Sequence, residues 1–218
     1  MDASLTPLKS LFENARSKRY EHGQLILYAG DEANETLILS SGIVKVFDID
    51  AKGQEKVLQI IKAPAILPLD SFFATPHPVS WHYSALTDSE VYTFSPDEFY
   101  DQVTTKPKLC SYILNWLAIQ SHELLVRVNG MSKNDAKDRI IAVLKFFDAY
   151  YTEPSKRGWK RIEFPLTHQL LADITGVTRE SITIQMGYLQ KERIVRSKRP
   201  YLELNTKNLL NYHYEPNS

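Results

Sequence analysis

The apolar residues change their period once along this chain of 218 residues, and the change falls at Ser95-Pro96. Before it, short apolar or alternating runs recur at 24–28, 35–39, 43–49, 56–61, 81–86 and 90–94. Turn signals separate them: Gly30-Asp31, Ser41-Gly42, Lys52-Gly53, Ala63-Pro64 and Thr87-Asp88. Closely spaced short strands with no helical run between them predict an antiparallel barrel or jelly roll. After Ser95-Pro96 the spacing becomes helical. Pro96 and Pro107 suit first-turn positions of helices. Leu109, Ile113, Trp116, Leu117, Ile119, Leu124, Leu125 and Val128 then form a stripe about six turns long. Its face is wide enough to pack on the barrel on one side and on a second copy of the chain on the other. Periodicity alone equally allows an ordinary core helix. Asn129-Gly130 is expected to end this helix, since both residues tolerate a left-handed backbone. Asn134 or Asp135 is expected to cap the next, which carries Ile140, Ile141, Leu144 and Phe147. The fold class is therefore α+β, with expected modules at 1–105, 106–132 and 133–218.

Composition removes several classes of function. Hydrophobic residues make up 43% of the chain, enough for a packed core. Apolar runs such as Leu124-Leu125-Val126 are far too short to cross a bilayer. The N-terminus lacks the basic start and apolar stretch of a secretion signal, so a soluble cytoplasmic location is expected. Cys110 is the single cysteine, which excludes an internal disulfide and a cysteine cage for iron–sulfur or zinc. The six histidines, at 22, 77, 82, 122, 168 and 213, are scattered. His77 and His82 alone do not make a metal or haem site. No nucleophile motif, catalytic residue, metal ligand or cofactor is expected, and the chain does not read as an enzyme.

The net charge is zero, but its distribution is uneven. Residues 156–218 hold 11 Lys and Arg against 6 Asp and Glu, and the rest of the chain holds 15 against 20. A basic module thus follows an acidic one. Within it, Thr167 suits the N-cap of a short helix with Leu170, Leu171 and Ile174. Gly176 sits where a tight turn needs positive φ. Thr178 caps a second helix, with Ile182, Met186 and Leu189 on its buried face and Glu180 in its first turn. Two short helices joined by a glycine turn form a helix-turn-helix. Two strand-like pieces follow, at 194–195 and 201–204, joined by Arg196-Ser197-Lys198-Arg199-Pro200. A basic-tipped hairpin directly after a helix-turn-helix reads as a wing that contacts phosphates.

With these features together, the chain resembles the cyclic-AMP receptor protein / fumarate-nitrate regulator (CRP/FNR) superfamily of bacterial transcription factors. The N-terminal match is His22-Gly23-x-x-Ile26, Ala29-Gly30-Asp31 and Leu39-x-x-Gly42-x-Val44. The C-terminal match is Leu166-Thr167-x-Gln169-x-Leu171-Ala172, then Gly176-Val177-Thr178-Arg179-Glu180-Ser181-Ile182. The stretch from Lys133 to Ile140 resembles the opening of that family's linking helix. The resemblance is collinear over roughly residues 15–205. It implies a β-roll sensor domain of the cyclic-nucleotide-binding kind, a dimerisation helix and a winged helix-turn-helix. It further implies a homodimer on a palindromic operator in double-stranded DNA, with RNA polymerase as a partner if the protein activates transcription.

The resemblance also suggests residue roles. Arg179 suits guanine O6 and N7, Glu180 suits a cytosine amino group, and Thr183 lies one turn on. Thr167, Gln169, Thr178 and Ser181 suit phosphates, with Arg196, Lys198 and Arg199. Ile184 stands where many relatives carry a second base-reading arginine. It can offer only apolar contact to thymine methyls, or turn inward. The sensor departs further. Leu67-Pro68 falls where cyclic-nucleotide binders have Gly-Glu, and Val79-Ser80 where they have Arg-Ser. Cyclic AMP is therefore not the expected effector. An effector site is expected instead around Leu69, Asp70, Ser80, Trp81, His82 and Tyr83, although these side chains can equally just fill the roll. Two other functions stay in view: an effector-binding module that regulates a protein partner, and a cupin-like enzyme.

Overall fold

The structure is a computed structural model that describes residue 8 and residues 15–32, 34–68 and 78–212. The chain separates into two compact units, and the division falls between Ser121 and His122. That point lies inside the longest helix, so the helix is shared between the units rather than forming a module of its own.

In the first unit, the described residues form eight strands in two four-stranded antiparallel sheets. One has the order β1 (Arg16–Tyr20), β8 (Ser89–Phe94), β3 (Thr36–Ser41), β6 (Ala65–Leu67). The other has the order β2 (Leu25–Leu27), β7 (His82–Ala85), β4 (Ile43–Ile49), β5 (Glu55–Lys62). Every expected strand is present, and alternation sends Val44, Val46 and Tyr83 into the core with Leu37, Ile38 and Leu39. Two strands are additional. β1 reads RSKRY and is exposed for most of its length, yet it pairs with β8 from Arg16↔Thr93 to Tyr20↔Ser89. β6 is a three-residue strand paired with β3.

Gly42, between β3 and β4, carries the tightest constraint in the roll. Its φ is +94°, and a Cβ there would stand 2.5 Å from the Asp88 carbonyl oxygen and 2.3 Å from Ser89 Oγ. Ser89 cannot swing away freely, because its hydroxyl donates to Thr87 O at 2.8 Å. Gly42→Ala combines a left-handed backbone with a clash against main chain. It should cost about 3 kcal/mol, visible as a lowered urea midpoint. An unchanged midpoint would show that the turn can relax.

Helix α1 (Pro96–Thr105) begins with a capping box. Ser95 Oγ accepts from Glu98 N, and the Glu98 carboxylate accepts from Ser95 N. Pro96 stands at its start, as expected. Helix α2 (Pro107–Met131) places Leu109, Ile113 and Trp116 in the core of the roll, with Cys110 packed against it. The helix ends at Met131, one residue past the expected Asn129-Gly130 stop, and Gly130 does not take the left-handed conformation. Gly130 instead serves packing: a Cβ would lie 3.0 Å from the Ala142 Cβ. The glycine lets α2 approach α3 (Ala136–Tyr150), which Asp135 caps by accepting from Lys137 N at 2.8 Å.

The second unit builds its core on α3. Phe147 meets Phe164 edge-to-face at 5.2 Å and Tyr151 at 5.8 Å. A four-stranded antiparallel sheet packs beside it in the order β11 (Val195–Lys198), β12 (Tyr201–Asn205), β10 (Trp159–Ile162), β9 (Thr152–Pro154). The pair β9 and β10 was not expected from sequence. Helices α4 (His168–Thr175), α5 (Arg179–Lys191) and the short α6 (Thr206–Leu210) complete the unit. No helix among the described residues is long and apolar enough to cross a membrane.

Candidate nucleic-acid interface

The helix-turn-helix forms where the sequence places it, and its caps hold it. Thr167 Oγ1 accepts from Leu170 N at 3.0 Å, and Thr178 Oγ1 accepts from Ser181 N at 3.3 Å. Gly176 closes α4 with φ +65°, a left-handed conformation that costs glycine nothing. Ile182, Met186 and Leu189 are buried against the unit. The opposite face of α5 is consequently solvent-facing, and Arg179 and Glu180 are exposed at its N-terminus. No ion pair joins them among the described residues, which leaves both side chains available to a ligand.

The wing is the hairpin β11–β12, paired from Val195↔Leu204 to Lys198↔Tyr201 with Arg199-Pro200 at its tip. Lys198 and Arg199 are exposed. A groove of ≈ 940 Å³ lies between the wing and the helix-turn-helix, and Gln169, Arg179 and Arg199 all line it. The tertiary fold thus brings the start of the reading helix and the tip of the wing to one surface.

Several of the candidate phosphate contacts are already engaged within the protein. Arg196 is half-buried, pairs with Glu203 and lies 4.2 Å over the Trp159 ring. Glu203 is itself buried and accepts a hydrogen bond from Ser155 Oγ at 2.7 Å. Burial pushes the Glu203 carboxyl up, but the Ser155 and Arg196 hydrogen bonds outweigh it and hold the group below the ordinary carboxylate value. It is therefore charged at neutral pH and keeps Arg196 folded against the sheet. Arg196 braces the base of the wing, a correction to its expected place on a phosphate. The hydroxyls of Thr167 and Thr178 are used in capping, and Thr178 also donates to Ser181 Oγ at 3.0 Å. Gln169 donates to Asp173 at 2.7 Å, one turn along its own helix. Lys198 and Arg199 are the wing cations without an ion pair among the described residues.

Two features were not read from the sequence. His168 Nδ1 lies 3.0 Å from Thr183 Oγ1, which joins the start of α4 to the middle of α5. The Thr183 hydroxyl donates to Arg179 O at 2.9 Å, so the imidazole nitrogen is the donor of this pair. Positions 168 and 183 lie on different helices, and no sequence pattern links them. Lys156, in the turn between β9 and β10, lines a second groove with Lys198 and Arg199. Only the unexpected β9–β10 pair puts it there.

The expected effector site does not assemble from its described members. Ser80 and Trp81 are exposed. His82 stacks on Phe47 at 5.2 Å, and its Nδ1 accepts from Ala29 N. Tyr83 is 1% exposed and belongs to the core. Of these residues only His82 and Tyr83 lie on β7, where strand alternation sends the two side chains to opposite faces. Leu69 and Asp70 lie outside the described residues. Among those residues no group of three or more His, Cys, Asp or Glu could hold a metal ion.

A roll of the cyclic-nucleotide-binding kind, followed on the chain by a winged helix-turn-helix with an exposed reading face, defines a class of DNA-binding regulators. Residues 17–106 match the cyclic nucleotide-binding domain family, and residues 138–212 match the Crp-like helix-turn-helix domain family. The chain belongs to the CRP/FNR superfamily of transcriptional regulators, and these are not enzymes. It is 26% identical to a fumarate and nitrate reduction regulatory protein of Vibrio cholerae, over 93% of this chain and 79% of that one. It is 24% identical to a global nitrogen regulator of Synechococcus elongatus, over 82% and 80%. A solved cyclic nucleotide-binding domain containing protein from Listeria monocytogenes shares the fold at a TM-score of 0.77 and 17% identity, over 92% and 98%.

Proposed function

We propose that this transcriptional regulator acts as a homodimer on a two-fold symmetric operator, with α5 of each copy in a major groove. The observation that carries the reading is the groove that unites Arg179, Gln169 and Arg199 on one exposed surface. Arg179 and Glu180 read base edges, Thr183 adds a contact one turn on, and Lys198 and Arg199 hold phosphates. Ser181 and the backbone N–H groups at the starts of α4 and α5 supply further phosphate donors. The protein works in the cytoplasm, and RNA polymerase is its partner where it activates.

The dimer reading is supported by the outward face of α2. Leu114, Ala118, Ser121, Leu125 and Val128 are all exposed and repeat at intervals of four and three residues, the spacing of a two-stranded seam. Arg127 and Gly130 are buried on another face of that helix.

The effector is not a cyclic nucleotide on this reading. Leu67 and Val79, which stand where the family's cyclic-nucleotide binders carry the glycine of Gly-Glu and the arginine of Arg-Ser, are 0% and 2% exposed members of an apolar core. A phosphate brought there would be desolvated without a charged partner.

The test is selection of bound DNA from a random duplex pool by the purified protein, with and without cyclic AMP. The expected result is one palindrome, unchanged by the nucleotide. A pool that stays random in both arms overturns the reading. A dependent measurement separates the wing from the helix. Lys198→Ala should weaken binding to every sequence alike and reduce the slope of log affinity against log salt by about one. Loss confined to the palindrome would instead make Lys198 a base reader.

A further inference from the structure

The reading face of α5 carries more than Arg179 and Glu180. One turn beyond Glu180 stands Ile184, and one turn beyond that stands Tyr188. They are 58% and 54% exposed. Gly187 lies beside them in mid-helix. A Cβ there would meet nothing within 4 Å, and the residue's φ is not in the left-handed region. Neither backbone geometry nor packing within the protein asks for glycine at this position. Alanine would favour the helix by roughly 0.5–1 kcal/mol. Two large apolar side chains left in water beside a stability-lowering glycine fit a helix that another surface approaches closely.

Thr183 adds to the same character. Its hydroxyl proton is given to Arg179 O, and it accepts from His168 Nδ1. Both hydrogen bonds keep the hydroxyl turned back toward the protein, and its methyl group is what remains for a partner. Beyond the Arg179-Glu180 step, the face therefore offers hydrocarbon at Thr183 and Ile184 and bare backbone at Gly187.

We infer that Ile184, with the Thr183 methyl group and the close approach allowed by Gly187, reads the C5-methyl groups of thymines next to the base pairs read by Arg179 and Glu180. The thymine methyl is the apolar group that a base pair exposes in the major groove. A G·C pair at that step leaves its polar edge as unsatisfied by isoleucine as an A·T pair does, but it has no methyl group to offer in return, so the A·T pair is preferred by the value of that apolar contact. This inference rests on the proposed placement of α5 in the major groove, and it specifies the operator: each half-site carries thymine beside its Arg179-Glu180 contacts.

Replacing thymine by uracil removes the methyl group and leaves every hydrogen-bonding atom in place, so it isolates the proposed contact. Each thymine of the selected duplex is replaced in turn, and affinity is measured by fluorescence anisotropy. One or two positions per half-site should lose roughly fourfold, the value of one buried methyl group. The other positions should stay within twofold. Ile184→Ala should abolish that methyl dependence while sparing the preference set by Arg179, and Ile184→Val should keep part of it. Gly187→Ala should raise the stability of the free protein and lower its affinity for the duplex. A selected duplex indifferent to every thymine methyl overturns this inference alone, as does full methyl dependence in Ile184→Ala. Failure to select any duplex overturns the proposed function along with it.

Discussion

A Leu125→Glu chain is expected to sediment as a monomer at concentrations where the parent chain is a dimer. Leu125 is 69% exposed, the most of any large hydrophobic residue among the described residues. It sits in the middle of the outward seam of α2, with Ser121 one turn before it and Val128 three residues after. In a two-fold seam each copy buries the same residue, so the substitution acts twice. Losing two leucine contacts at about 2 kcal/mol each removes roughly 4 kcal/mol, a factor near a thousand in the dimer dissociation constant. The two facing carboxylates add repulsion. The folded unit should be spared, because the side chain is already in water in the single chain. Sedimentation velocity reads the dimer, and thermal unfolding reads the fold. DNA binding should fall with the dimer, since a lone reading helix engages one half-site. A Leu125→Glu protein that stays dimeric would remove α2 from the interface.

Arg179→Ala is expected to lower affinity for the operator by about 1–3 kcal/mol per half-site, and so roughly twice that for the dimer. Its mark is a change of sequence preference as well as of affinity. Arg179 is exposed, begins α5 and borders the same groove as the wing residue Arg199. Removing it should leave phosphate contacts intact, so affinity for random DNA and the salt slope should change little. Selection repeated with the variant should return a palindrome degenerate at the position that Arg179 reads. If random and specific sequences weaken in parallel, Arg179 is a phosphate contact and the assignment of the reading positions moves along the helix. Arg196→Ala supplies a contrast. Because Arg196 is bound to Glu203 and Trp159, its loss acts on the wing's position and on the unit's stability.

Local chemistry was readable without the fold. The caps at Thr167, Thr178 and Asp135, the proline start at Pro96 and the left-handed turn at Gly176 each depend on residues within about one helical turn of one another. Such contacts travel with the sequence. The failures share the opposite property. β1 is a charged segment that becomes a strand only because β8, about seventy residues away, offers a free edge. Gly130 marks the end of its helix to within a residue but not as a left-handed cap, because Ala142 on the next helix makes it a close-packing residue. Arg196 reads as one more cation in a basic loop until Glu203 and Trp159 fold against it.

The sequence by itself therefore determined the α+β organisation, the helix-turn-helix with its caps, the wing, and the family to which they belong. Period, capping and turn chemistry depend on neighbours along the chain, and a linear reading contains them. Only the tertiary structure decided which side chains are free to meet DNA. It directed Ile184 outward, bound His168 to Thr183, withdrew Arg196 into the sheet, dispersed the described residues of the expected effector site, and set Arg179 and Arg199 along one groove. Those outcomes depend on partners distant in sequence, where burial and hydrogen bonding compete for the same polar group.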